Sequence, residues 1–206
     1  MKVRFAPLAI AATMLLTQPQ AADAHIIASR LGDFYTGALH PLTDLQDLIL
    51  WSAMGVLAGS LGAAAGRWLV LVFPIGLLAG LLLGRAFGIA AAGPPVDAAM
   101  ILLLGLLLAV AARIPTALLC AIGFGLAVVR GAANAGDLAP ETDHVLFAAG
   151  LACAGYAAIT LIMALTLAFR TDDAAPAAAW RGIAIRALGG WIAAIGLMMA
   201  GLAYAS

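Results

Sequence analysis

The sequence predicts an all-α fold, a polytopic membrane helical bundle with six transmembrane helices after a cleaved signal peptide. Three observations lead there. The 206 residues are 65% hydrophobic and only 10% charged, whereas soluble domains carry about 25% charged residues. Six apolar runs follow the first 24 residues, and glycine, proline and arginine separate them. The strict alternation of a membrane β-strand is absent. A water-soluble globule could not cover its surface with so few polar residues. Ten basic residues balance ten acidic ones, so no net field holds a polyanion, and nucleic acid is not an expected partner.

The beginning of the chain reads as a signal peptide over residues 1–24. Lys2 and Arg4 form a positive n-region, Phe5 to Leu16 is a short apolar core, and Ala22-Asp23-Ala24 is an A-x-A cleavage pattern. The run is too short for the ~20 residues a span needs. Cleavage after Ala24 makes His25 the mature N-terminus of a single transmembrane domain, 25–206.

The six spans are expected at about 45–65, 68–88, 96–112, 115–130, 144–169 and 183–205. Thr43-x-x-Gln46 reads as a capping box for the first, and His40-Pro41 alternatively sets Pro at the first helical position. With the mature N-terminus outside, the cytoplasmic connections carry Arg67, Arg113, Arg170, Arg181 and Arg186, and the outer side carries Arg30, Arg85 and Arg130. This obeys the positive-inside rule. The reading is a multi-pass protein of the bacterial inner membrane with both mature termini periplasmic.

Acidic residues are more lopsided. Asp33, Asp44, Asp47, Asp97, Asp137, Glu141 and Asp143 fall on the outer side, as do His25, His40 and His144. In loops such residues are ordinarily just solvated. Asp44 and Asp47 differ, because they enter an apolar helix, where a carboxylate is costly without a polar partner. His40, Asp44 and Asp47 stand at i, i+4 and i+7, one face of a helix that begins at His40. Imidazole and carboxylate together suit nickel, cobalt or zinc. A terminal His25 adds its α-amine and imidazole. The expected metal residues are therefore His25, His40, Asp44 and Asp47, with His144 and Asp143 as a secondary pair. Each also has a plain structural reading, such as an N-cap or a partner for the helix dipole.

Gly76, Gly80, Gly84 and Gly88 recur every four residues, and such a ridge lets two helix backbones approach closely. It serves helix packing, within one chain or between copies. Cys120 and Cys153 sit in apolar runs and behave as small hydrophobes unless their helices touch.

These residues resemble the HupE/UreJ family of small membrane proteins associated with nickel enzymes. The first span of that family opens with a pattern like His-Pro-Leu-Thr-Gly-Leu-Asp-His. Here the stretch is His40-Pro41-Leu42-Thr43-Asp44-Leu45-Gln46-Asp47, after Gly37-Ala38-Leu39. A later family turn resembles His-Gly-His-Ala-His-Gly-Ala-Glu-Leu, against Arg130-Gly131-Ala132-Ala133-Asn134-Ala135-Gly136-Asp137-Leu138. The family's Asp-His pair is thus replaced by Gln46-Asp47, and the histidines of the second motif are gone.

The resemblance implies import of nickel or cobalt for hydrogenase or urease maturation. On this reading the protein is not an enzyme, and no cofactor is bound permanently. The partners would be the lipid bilayer, the transported divalent ion, a second copy, or periplasmic metalloenzyme maturation proteins. The alternative is a non-transporting membrane accessory that kept the scaffold and lost part of the ligands. Intramembrane hydrolysis has little support, since H-E-x-x-H, G-x-S-x-G and a phosphate-binding loop are all missing.

Overall fold

The computed structural model describes residues 32–88, 93–136, 138–139, 141–170 and 179–205. The signal peptide, His25, Asp137, Asp172, Asp173 and Ser206 lie outside these. Among the described residues the fold is all-helical. The elements are α1 (Asp33–Thr43), α2 (Leu45–Leu61), α3 (Ala63–Phe87), α4 (Pro94–Ala109), α5 (Thr116–Gly136), α6 (His144–Arg170) and α7 (Ala179–Ala205).

Four of them, α3, α5, α6 and α7, are long and apolar enough to cross a membrane. At 1.5 Å per residue, the 17 residues of α2 and the 16 of α4 reach only about 24–26 Å, under the ~30 Å of a hydrocarbon core. Of the two, α4 packs against α7 and α2. The centre belongs to α2, which touches every other described helix. Its sequence is apolar around nearly the whole circumference, as a helix buried on all sides requires. Leu50, Met54 and Leu57 are almost fully enclosed, together with Leu69, Phe73 and Leu77 of α3 and Leu104 and Leu108 of α4.

Short links set an up-and-down order. One residue, Gly62, joins α2 to α3, and its φ of 99° is open to glycine at little cost. Gly93 precedes Pro94 and Pro95 at the start of α4, where proline loses no intrahelical bond. Contacts along the helices give their directions. Gly55 and Gly59 of α2 meet Ile162 and Thr166 of α6, so these two run parallel. Gly76 and Gly80 of α3 meet Ala127 and Val128 of α5, also parallel. Gly105 and Gly196 bring α4 and α7 together antiparallel. The helices α2 to α7 therefore alternate in direction.

Close approach at glycine fixes α5 against α3. Gly80 faces the Val128 carbonyl, and Gly131 returns the contact against the Leu77 carbonyl. Gly76 and Gly84 extend the same seam. Gly88 does not belong to it: it is the C-cap of α3 in the left-handed conformation (φ 59°), with nothing within reach of an added Cβ. Cys120 and Cys153 are both free thiols.

The first short helix corrects two expectations. Thr43 is not the N-cap of α2, since its hydroxyl donates back to the His40 carbonyl (2.8 Å). Asp44 is the cap, and its carboxylate accepts from the Gln46 N–H (2.7 Å). Pro41 lies within the last turn of α1 rather than at a helix start.

Candidate functional site

At one end of the bundle the opening turns of α2 and α4 meet the C-terminal third of α5. Asp44 caps α2, Asp47 lies in its first turn, and Asp97 lies in the first turn of α4. Carboxylates suit these positions, because unpaired N–H groups give a helix start partial positive charge. All three turn toward Arg130. Its Nε donates to Asp47 Oδ1 (2.6 Å), and Nη1 donates to Asp97 Oδ1 (3.1 Å) and to Gln46 Oε1 (3.1 Å). Nη2 pairs with Asp44 Oδ2. Arg130 is 4% exposed, Asp47 0% and Asp97 6%, so bulk water screens this network little.

The planar, permanently charged guanidinium can hold several carboxylates at once, which a lysine could not do in this geometry. Three carboxylates against one guanidinium leave a formal excess of two negative charges. Polar capacity is left over as well. Asp47 Oδ2 is buried without a hydrogen-bond partner among the described residues, and so are Asn134 Nδ2, one turn beyond Arg130, and Trp51 Nε1, one turn below Asp47. A groove of about 510 Å3 lined by Asp44, Gln46, Ile49, Ile195 and Met199 reaches the network from between α2 and α7. Half-buried Asp44 stands at its edge, and buried Asp47 lies behind.

The four proposed metal residues are distributed differently from a single helix face. His25 lies outside the described residues. The chain breaks at Asp44, whose backbone is extended (φ −97°, ψ 113°), so His40 belongs to α1 and Asp47 to α2. The expected i, i+4, i+7 alignment is thereby overturned. The His40 ring instead stands edge-on to Phe147 of α6, with centroids 6.0 Å apart. Asp44 and Asp47 are brought together, but through Arg130.

The secondary pair sits elsewhere. Asp143 accepts from the Val145 and Leu146 N–H groups (2.9 and 3.1 Å) and caps α6. His144 lines a separate cavity with Leu81, Leu82 and Arg85, and its Nδ1 is buried without a hydrogen-bond partner among the described residues. Among the described residues no group of three or more His, Cys, Asp or Glu is arranged to hold a metal ion. The carboxylates converge on the guanidinium rather than on one another.

Arg130 and Asp97 are the residues that sequence reasoning did not select. The signal was present, since an arginine at the end of an apolar run needs a carboxylate partner. Asp44, Asp47 and Asp97 all open spans expected to begin on that same side.

The model of the family described as HupE / UreJ protein matches residues 12–199. The chain belongs to the HupE/UreJ family. Comparison with curated proteins and with solved structures finds no match. Family and apolar helices together make this HupE/UreJ chain a helical membrane protein. The family is one of accessory or permease-like proteins associated with nickel and cobalt. Arg130, Ala132 and Asn134 of this HupE/UreJ member stand where the resembling motif has histidines, so three imidazoles have given way to a guanidinium, a methyl and an amide.

Proposed function

We propose that this HupE/UreJ protein carries a divalent metal cation, nickel or cobalt, across the bacterial inner membrane in support of metalloenzyme maturation. Six spans, with both mature termini periplasmic, would put the Arg130 site at the outer side. One observation carries the reading: three carboxylates face one guanidinium, two negative charges in excess. In a poorly solvated region such an excess is relieved by protons or by a counter-charge, and one divalent ion supplies a counter-charge of the right size. Arg130 then acts as a tethered cation that holds the carboxylates until an ion displaces it. Asp44, at the groove, meets the ion first, and Asp47 takes it deeper, where its Oδ2 has no other partner among the described residues. His25 and His40 are the nitrogen donors at the mouth. Transport needs an ion bound weakly enough to leave, and a resident competitor provides that.

A second reading is a non-transporting accessory. It is favoured by the guanidinium already occupying the centre of the carboxylates and by the lack of a metal-ready cluster among the described residues. Nickel and cobalt uptake by cells expressing the parent and Asp47→Ala separates the two. The transport reading expects metal-dependent uptake in the parent and a loss of about tenfold or more in the variant, equivalent to ~1.4 kcal/mol. Equal uptake in both, or none in the parent, favours the accessory.

A further inference from the structure

The opposite end of the bundle holds a second polar feature that the cation site does not use. Where α2 and α4 finish beside the end of α6 and the start of α7, a cavity of about 160 Å3 remains. Arg113, Arg170, Arg186 and Ser60 line it, and among the described residues no carboxylate does. Two of the guanidiniums are anchored by helix ends. Arg170 donates to the Ser60 carbonyl, and Arg186 Nε donates to the Ala109 carbonyl (3.0 Å). Such contacts satisfy carbonyls left over at a helix C-terminus. They explain neither the exposed Arg113 on the same cavity nor the Ser60 hydroxyl, which is buried there without a hydrogen-bond partner among the described residues.

The depth of the cavity is marked independently. Trp68 and Trp180 are exposed at this end. Arg67 lies over the Trp68 ring (5.6 Å) and Arg181 over Phe169 (5.8 Å), with Phe169 edge-on to Trp180 (5.4 Å). Tryptophan and arginine at one level are characteristic of a membrane–water interface, which is the level of the lipid phosphates. Guanidinium groups bind phosphate oxygens with directed, charge-assisted hydrogen bonds, and basic pockets between membrane helices take anionic headgroups.

We propose that this cavity binds a phosphate group, supplied by the headgroup of an anionic phospholipid. The Ser60 hydroxyl and Arg113 contact the phosphate, and Arg170 and Arg186 hold it from positions fixed by the ends of α2 and α4.

The test uses the full chain in detergent. Native mass spectrometry measures retention of phosphatidylglycerol, cardiolipin and phosphatidylcholine, and thermal melting measures the effect of inorganic phosphate. The anionic lipids should be retained over phosphatidylcholine, and Arg113→Gln should weaken that retention about fivefold. Ser60→Ala should weaken it too, whereas Arg67→Gln, at the same level but outside the cavity, should leave it unchanged. Stabilisation by inorganic phosphate that Arg113→Gln removes, without lipid retention, would keep the phosphate site and overturn its lipid source. Equal retention of phosphatidylcholine, or equal losses in Arg67→Gln and Arg113→Gln, would overturn the site itself.

Discussion

Arg130 Nε donates to Asp47 Oδ1 at 2.6 Å, across 83 positions of the chain, and this contact fastens α5 to the first turn of α2. Its energetic weight comes from its surroundings. Removing one partner of a buried ion pair leaves the other charge uncompensated, which costs far more than the pair contributes.

Arg130→Leu should therefore destabilise the protein by about 3–5 kcal/mol, with three carboxylates left facing each other. Arg130→Lys keeps the charge but loses the fork, and should cost less. Chemical denaturation in detergent, followed by helical circular dichroism, measures both.

The glycines of α3 separate into two roles. Gly80→Ala puts a methyl against the Val128 carbonyl, which is backbone and cannot turn aside, so α5 must shift, at about 1–3 kcal/mol. Gly88→Ala meets no neighbour and pays only for a left-handed backbone, about 1–2 kcal/mol. Metal uptake distinguishes them. Gly80→Ala should reduce it by moving Arg130, and Gly88→Ala should not.

Much of this fold is legible in the hydropathy pattern, and the exceptions share a cause. Each of the six apolar runs corresponds to a helix, α2 to α7. The run ending at 130 stops short of the true end of α5 at Gly136, because Arg130 and Asn134 read as loop residues. Both are inside the bundle, and for Arg130 the carboxylates of α2 and α4 make that tolerable. The short helix α1 was missed for a related reason. It holds its place through tertiary contacts of Gly37 with Phe147 and of Gly150 with Phe34, which local sequence does not display. Two carboxylates of the site, Asp44 and Asp47, are visible as costly residues at the start of an apolar helix, and Asp97 is not. Their shared partner was not, since it comes from a helix that no spacing rule connects to them.

Among the histidines, position decides the expected effect. His40→Ala should lower nickel or cobalt uptake clearly, because the proposed path makes it a nitrogen donor at the mouth, four positions before Asp44. His144→Ala should matter less, since its cavity lies between α3 and α6, apart from the Arg130 network. Both should leave the amount of protein in the membrane unchanged. Equal effects would place the ion's path elsewhere.

Orientation is open to a labelling experiment. In a variant without Cys120 and Cys153, single cysteines at Glu141 and Arg113 lie beyond opposite ends of α5. An impermeant thiol reagent applied outside should label the first and spare the second, as the arginine distribution requires. The reverse pattern would put the carboxylates on the cytoplasmic side.

The central claim, that Arg130 stands where a divalent cation can bind, is tested most directly by the stability of Arg130→Gln with and without metal. The variant should melt below the parent in metal-free buffer. Nickel or cobalt should raise it again, by about 2.7 kcal/mol at a hundredfold excess over the dissociation constant, and adding Asp47→Ala should abolish the rescue. An Arg130→Gln protein that stays equally unstable at saturating nickel and cobalt would contradict the claim, leaving Arg130 as a structural clamp.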